Sequence, residues 1–263
     1  MPLRLVSSKQ NARLKQLRRA LARPGGEVNL AGIEGPNLLA EALRSGLRLD
    51  CVFVAQGSER LLDSLPLPPE TEILLLPRDL LSSALTTETP QPIAALVQPP
   101  LWTWPQLLKS QPQLLVLLAG LQDPGNLGTI LRSAEAFGAT GIVSLPGTVS
   151  AWNPKAVRAS AGSVLRVPLI ESSAEDCLAQ LRKANIKLWT TAVAGAEAAS
   201  GADLSGSIAL LIGNEGNGVP PELAAQAEAA LTIPCPGPVE SLNASVAASI
   251  LLYEASRQRG AAQ

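Results

Sequence analysis

The 263-residue sequence contains no histidine. That absence excludes Ser–His nucleophile pairs, His-ligated zinc and any mechanism with imidazole as the general base. Cysteine is scarce. Cys51, Cys177 and Cys235 are odd in number, far apart and without metal-ligand spacing, so neither a disulfide framework nor a metal site is expected. A reduced, cytoplasmic protein is the natural reading. No apolar run reaches the length of a membrane span, and the N-terminal stretch MPLRLVSSKQNARLKQLRRALARP lacks the continuous apolar centre of a secretory signal. No membrane partner is expected. Aromatic residues make up only 3% of the chain, so the 46% apolar content that supports a full core is carried by Ala and Leu. The length suits one large domain or two ordinary ones.

The net charge of −1 conceals an asymmetry. Residues 1–23 hold seven cations (Arg4, Lys9, Arg13, Lys15, Arg18, Arg19 and Arg23) and no acid, which leaves −8 on the remainder. Leu14, Leu17 and Leu21 recur at helical spacing among them, so Ala12–Leu21 reads as an amphipathic helix with a cationic outer face. Such a helix on an acidic body can touch phosphate in one place only. It can equally be a solvated helix that touches nothing.

The most informative stretch is Leu114–Val143, LLVLLAGLQDPGNLGTILRSAEAFGATGIV. The unalternating apolar run at its start suits a strand buried on both faces. A polar turn, Gln122–Gly128, follows. Leu127, Ile130, Leu131, Ala134 and Phe137 then recur at helical spacing, and Gly141–Val143 reads as the next strand. The turn sits where helix N-terminal amides could hold an anion. Its glycines do not form the G-x-G-x-x-G of a dinucleotide site. Asn126 is open to two readings, a helix cap or Asx-turn residue or part of a site. Arg132, off the apolar stripe, is open to a solvated reading as well.

Before this stretch, strands are expected at Leu30–Ile33, Cys51–Val54, Glu72–Leu76 and Ile93–Val97. Helices are expected at Asn37–Ser45 and Arg78–Ala84, and Pro24-Gly25-Gly26 is expected to end the Ala12–Leu21 helix. This alternation makes a small α/β sandwich. The proline-rich QPPLWTWPQLLKSQP reads as a linker, so the expected organisation is 1–98, a linker at 99–112, and a second domain at 113–263. Trp102 and Trp104 could stack on bases or fasten the linker to a domain. Beyond Val143 the pattern predicts a basic helix at Asn153–Ala161, strands at Val164–Leu169, Lys187–Val193, Ser207–Ile212 and Leu231–Pro234, and helices at Ala174–Ala184 and Pro220–Ala230. A terminal helix runs through about Arg257. The alternation indicates a mostly parallel, doubly wound sheet.

Three polar loops follow three apolar strands: DPGNLG (Asp123–Gly128), GNEGNG (Gly213–Gly218) and PVESLNAS (Pro238–Ser245). Each alone is an ordinary turn. In open α/β sheets, however, ligands bind beyond the carboxyl ends of the strands, where loops distant in sequence converge. The glycines of the second loop permit close backbone approach to a ligand, and Glu215 among them has no evident structural task.

The segments DPGNLGTILRSAEAFGA, NPKAVRASAGS, LLIGNEGNGVP and IPCPGPVESLNASVAASILLYEASR resemble the SpoU (TrmH-type) family of RNA ribose 2′-O-methyltransferases in the SPOUT superfamily. The family's N-x-G-x-x-x-R pattern falls on Asn126, Gly128 and Arg132, its G-N-E-G on Gly213–Gly216, and its S-L-N-x-S on Ser241–Ser245. The likeness spans about 150 residues. NARLKQLRRAL and EGPNLLAEAL are similar to the substrate-binding domain that these enzymes often carry, which resembles ribosomal proteins that bind kinked RNA.

The resemblance implies an α/β protein with two parts: a C-terminal SPOUT-type parallel sheet with a deep trefoil knot, and a smaller N-terminal α/β/α RNA-binding domain. It implies S-adenosylmethionine held in the knot by backbone around Thr191, Gly213, Asn214, Gly216, Ile233 and Leu242. Arg132 becomes the central catalytic residue, with Asn126, Glu215, Ser241 and Asn243 placing it, the cofactor or the RNA. A guanidinium stays protonated in proteins, so a phosphate clamp that also positions the hydroxyl suits Arg132 better than a general base. A homodimer is implied. RNA contacts are expected from Arg13, Lys15, Arg18, Arg19, Lys155 and Arg158. Large-subunit rRNA is the favoured substrate; tRNA, or a non-catalytic ribosome-associated RNA-binding role, are the alternatives. A nicotinamide-dependent oxidoreductase fails on the missing glycine motif and the missing His.

Overall fold

Residues 3–22, 30–192, 196–239 and 241–260 are described by the structure, a computed structural model. Arg23, the Pro24–Gly26 helix stop, Val193 and Glu240 lie outside the described residues. The chain falls into two compact units: residues 1–100 with 150–165, and residues 101–149 with 166–263.

The first unit opens with β1 (Leu3–Leu5), α1 (Ala12–Ala22), β2 (Ala31–Glu34), α2 (Pro36–Arg44) and β3 (Leu49–Ala55). β4 (Ile73–Leu76), α3 (Arg78–Ser82) and β5 (Ile93–Val97) follow. They form a mixed sheet in the order β1-β4-β3-β5-β2, with β1, β4 and β3 parallel and β5 antiparallel to both β3 and β2. Leu14, Leu17 and Leu21 of α1 are buried against Phe53, Leu74 and Leu96, so the amphipathic reading of this helix holds at the level of packing. The three-residue edge strand β1 carries no sequence signal; Leu3 and Leu5 are exposed, and only its pairing with β4 defines it.

The second unit starts with α4 (Trp104–Leu107), β6 (Leu114–Leu118), α5 (Pro124–Ala136) and β7 (Gly141–Ser144). The chain then makes α6 (Pro154–Ala159), which packs on β2 and groups with the first unit. Back in the second unit come β8 (Leu169–Glu171), α7 (Ala174–Lys183), β9 (Lys187–Thr191), β10 (Glu197–Ala198) and β11 (Ile208–Ile212). α8 (Pro221–Ala224), β12 (Ala229–Thr232) and α9 (Ala244–Gly260) complete it. Its seven strands are all parallel, in the order β10-β12-β9-β11-β6-β7-β8.

β6 and β11 lie side by side at the centre, and all five residues of each are buried. Side chains alternate between sheet faces along a strand. Leu115, Leu117, Ala209 and Leu211 share a core with Cys177 and Leu181 of α7, while α5 and α9 pack on one another, with α9 also against β11. Trp102 and Trp104 pack against the α7-side core, and Trp104 Nε1 donates to Asp176 at 2.9 Å. The tryptophans fasten the proline-rich segment to this unit.

Two sequence expectations are corrected. The Ala-rich Pro220–Ala230 does not continue as a helix: α8 is a single turn, and the chain is extended from Ala229, where Ala229, Ala230 and Leu231 pair with Trp189, Thr190 and Thr191. Ladder bonds to β9 override a local propensity worth only tenths of a kcal/mol per residue. Val164–Leu169 is not one strand but a 3-10 turn at Ser163–Leu165 followed by β8.

Candidate active site

The three polar loops meet in the second unit. Asp123 caps α5, its Oδ1 accepting from Asn126 N at 2.8 Å, with Pro124 at the first helical position. Asn126 is therefore inside the first turn rather than at the cap, and its side chain is available for other partners. Asn126 Nδ2 donates to Glu215 Oε1 at 2.9 Å. The backbone N–H groups of Asp123 and Gln122 donate to the same carboxylate at 3.1 and 3.3 Å. The anion held at this helix N-terminus is thus the protein's own Glu215. Burial works against its ionised form, yet the hydrogen bonds from the Asn126 side chain and the loop amides outweigh it and hold the carboxyl below its ordinary range.

The loop bearing Glu215 is closed on itself. Asn214 and Gly218 exchange two backbone hydrogen bonds of 2.9 Å, and Asn214 Oδ1 accepts from Gly216 N and Asn217 N at 2.9 and 3.0 Å. Asn214 Nδ2 donates to Gly120 O at 2.8 Å, tying the loop to the end of β6. A Cβ on Gly213 would lie 2.2 Å from Gly218 C and 2.3 Å from Val219 N. Only glycine fits there, because the obstruction is backbone.

Beside this loop lies a cavity of about 560 Å³ at the carboxyl ends of β9, β11 and β12. All six positions expected to contact a cofactor line it: Thr191, Gly213, Asn214, Gly216, Ile233 and Leu242. Glu215 and Ser241 line it too, with Leu231 and Leu251 adding apolar wall. Thr191 Oγ1 donates to Leu211 O at 3.3 Å and so bridges β9 and β11.

Asn126, Asn243 and Arg132 are not among the lining residues. Asn243 caps α9: its Oδ1 accepts from Ser245 N at 2.9 Å and Val246 N at 3.4 Å. Ser245 Oγ reaches Asn243 Oδ1 at 2.7 Å and Asn126 Oδ1 at 3.1 Å, joining the first loop to the third. In the sequence Ser245 stands inside a motif with no role of its own. Asp123 escapes sequence reasoning as well, although an Asp followed by Pro ahead of a helical run marks an N-terminus. Arg132 is exposed on α5.

Of the expected RNA contacts, all lie in the first unit. Arg13 is engaged within the fold, pairing with Asp50 at 2.6 Å and Glu72 at 3.0 Å. Arg18 donates to Ser83 Oγ at 3.0 Å. Lys15 and Arg19 are exposed on α1, and Lys155 and Arg158 on α6. No group of His, Cys, Asp and Glu suited to a metal occurs among the described residues.

An all-parallel sheet with helices on both faces and a cavity beyond its strand ends defines an α/β ligand-binding protein. Residues 113–253 match the model of the SpoU rRNA Methylase family. The chain is 32% identical over 254 residues to the 23S rRNA (guanosine(2553)-2′-O)-methyltransferase RlmP of Bacillus subtilis, covering 95% of this chain and 98% of the relative. The crystal structure of the AdoMet-bound rRNA methyltransferase from Sinorhizobium meliloti superposes with a TM-score of 0.84 at 30% identity, over 97% of this chain and 98% of that one. The SpoU methyltransferase AviRb from Streptomyces viridochromogenes gives a TM-score of 0.84 at 27% identity, over 96% and 99%. The chain belongs to the SpoU rRNA methylase family, and its fold is that of the SPOUT methyltransferases.

Proposed function

We propose that this protein is an S-adenosylmethionine-dependent methyltransferase that modifies a ribose 2′-hydroxyl of large-subunit rRNA. The observation that carries the reading is the convergence of the Asn126, Glu215 and Ser241–Ser245 loops beside one cavity at the strand ends. The cavity suits the cofactor: its size is that of a cofactor pocket, its wall combines apolar side chains with polar groups, and the glycine-rich loop from Gly213 to Gly218 lines it. When bound, S-adenosylmethionine supplies a sulfonium methyl group for in-line displacement.

The chain's own residues have three tasks in this reaction. Glu215, ionised and saturated with donors, holds the first two loops in register and is a poor proton acceptor at neutral pH. No hydrogen bond or ion pair engages the Arg132 guanidinium among the described residues, so it is available to clamp the phosphate beside the target ribose. Ser241 and Asn243 present polar groups from the third loop, and the 2′-hydroxyl proton leaves to water.

The reading includes a homodimer and the threading of the last segment through a loop. Val246, Ile250 and Tyr253 form an exposed apolar stripe on α9, 45, 37 and 54% accessible, with Phe137 set edge-on to Tyr253 at 5.7 Å. A second copy covering that stripe accounts for its exposure. After β12 the chain returns to line the cavity with Ser241, Leu242 and Ala244 beside the Gly213–Gly218 loop, as a threaded segment would. In the first unit, Lys15, Arg19, Lys155 and Arg158 offer phosphate contacts.

The test is methyl transfer from labelled S-adenosylmethionine to separate pools of unmodified rRNA and tRNA. Label in large-subunit rRNA, reduced about 100-fold in Arg132→Ala as for loss of an electrostatic stabiliser, is the expected result. Label in tRNA alone would overturn the substrate; near-normal turnover by Arg132→Ala would overturn the role of that residue.

A further inference from the structure

Ser245 is the innermost polar group of the site, 5% exposed in the first turn of α9. Its single hydroxyl hydrogen faces two amide oxygens, Asn243 Oδ1 at 2.7 Å and Asn126 Oδ1 at 3.1 Å. Both amides are oriented by independent partners. Asn243 must turn its oxygen toward α9, because the N–H groups of Ser245 and Val246 donate to it. Asn126 must turn its NH2 toward Glu215, because a carboxylate accepts only. The hydroxyl of Ser245 is what reconciles two inward-facing oxygens: without a donor between them they would meet without compensation. The Asn243 NH2 is left without a partner among the described residues, so what this side chain offers a ligand is donors alone.

We infer that Ser245 is a positioning residue that fixes the Asn243 and Asn126 amides with their oxygens inward, so that Asn243 meets the substrate only as a hydrogen-bond donor to an anionic or developing-anionic oxygen. This rests on the methyltransferase reading. It assigns Asn243 to holding a phosphate or the ribose oxygen as charge builds on it, and excludes it as the acceptor of the hydroxyl proton.

Two substitutions in the full-length chain test the inference, with turnover on rRNA and binding of S-adenosylhomocysteine read for each. Asn243→Asp keeps a side-chain oxygen for the helix amides, since Asp caps as well as Asn, but removes the donor. It is expected to lower kcat about 100-fold, as for loss of one oxyanion donor, with helix content and cofactor-product affinity unchanged. Ser245→Ala leaves the two facing amide oxygens with no donor between them, shifting both side chains, and is expected to lower kcat about 10-fold, the scale of slight misplacement, with Ser245→Thr restoring it. Asn243→Asp with wild-type kcat overturns the inference, as does Ser245→Ala losing turnover and affinity in equal measure. If Ser245→Ala fails to fold, Asn243→Asp decides alone. A wild-type protein that binds S-adenosylhomocysteine but methylates no RNA overturns the methyltransferase reading itself, and the inference with it.

Discussion

In the first unit Arg13 reaches out from α1 and is met by Asp50 and Glu72, charge against charge. In the second unit the carboxylate of Glu215 is met by neutral donors, two backbone amides and the side chain of Asn126. Both arrangements secure a segment distant in sequence. The ion pairs fix the helix to the sheet, with the Arg13 guanidinium engaged by two carboxylates within the fold. Neutral donors place a loop without bringing a cation into the site, where it would compete for phosphate. The first unit thus uses charge to tie this helix to its sheet; the second ties its loops together with amides.

The sharpest break of this comparison uses glycine. Gly213→Ala puts a Cβ into backbone and is expected to abolish binding of S-adenosylhomocysteine by calorimetry. Gly32→Ala in the first unit meets a side chain, Leu21 Cγ at 2.7 Å, which can shift. It is expected to lower unfolding free energy by about 1–3 kcal/mol, an overpacking effect, while binding persists. Equal loss of binding in both would show that the site is not held locally.

A milder test separates the cations of α1. Arg13→Ala is expected to destabilise the protein by about 1 kcal/mol, as for a partly exposed ion-pair network, and to leave the salt dependence of RNA binding unchanged. The double variant Lys15→Ala with Arg19→Ala is expected to do the reverse, reducing the salt slope by about 1–2 at unchanged melting temperature. A salt slope that responds to Arg13 would erase the contrast.

The smallest effect is at α9. Hydrogen bonds from Arg257 and Gln258 hold the Glu254 carboxyl at about 2, below its ordinary 4.5. A carboxyl depressed on folding contributes stability above its ordinary value and loses it as pH falls through the folded one. Glu254→Gln is therefore expected to flatten the acid limb of the stability curve between those values. The loss at neutral pH is on the order of 1 kcal/mol, since Arg257 is largely in solvent. An unchanged acid limb would show the pair to be inert.

Much of the architecture is legible in the sequence. LLVLL and IALLI announce the two central strands, and the apolar spacing of α1, α5 and α7 announces helices, because burial on one or both faces writes its period into the sequence. The six cavity positions are reached through family resemblance rather than periodicity, since nothing in a Gly-rich turn says which way its backbone faces. Ala229–Thr232 misleads because its strand character comes from pairing with β9, not from its alanines. Ser245 escapes notice because a serine in a helical first turn looks like any other until its two neighbours are known.

The sequence by itself determined the alternation of strands and helices, the cationic face of α1 and the membership of three loops in one family pattern; these depend on residue type and spacing along the chain. Only the tertiary structure decided which carboxylates Arg13 meets and which donors meet Glu215. Asp50 and Glu72 stand 37 and 59 residues from Arg13, and Glu215 and Ser245 stand 89 and 119 from Asn126. A hydrogen bond is satisfied by whatever partner the fold brings within about 3 Å, and separation along the chain carries no record of that meeting.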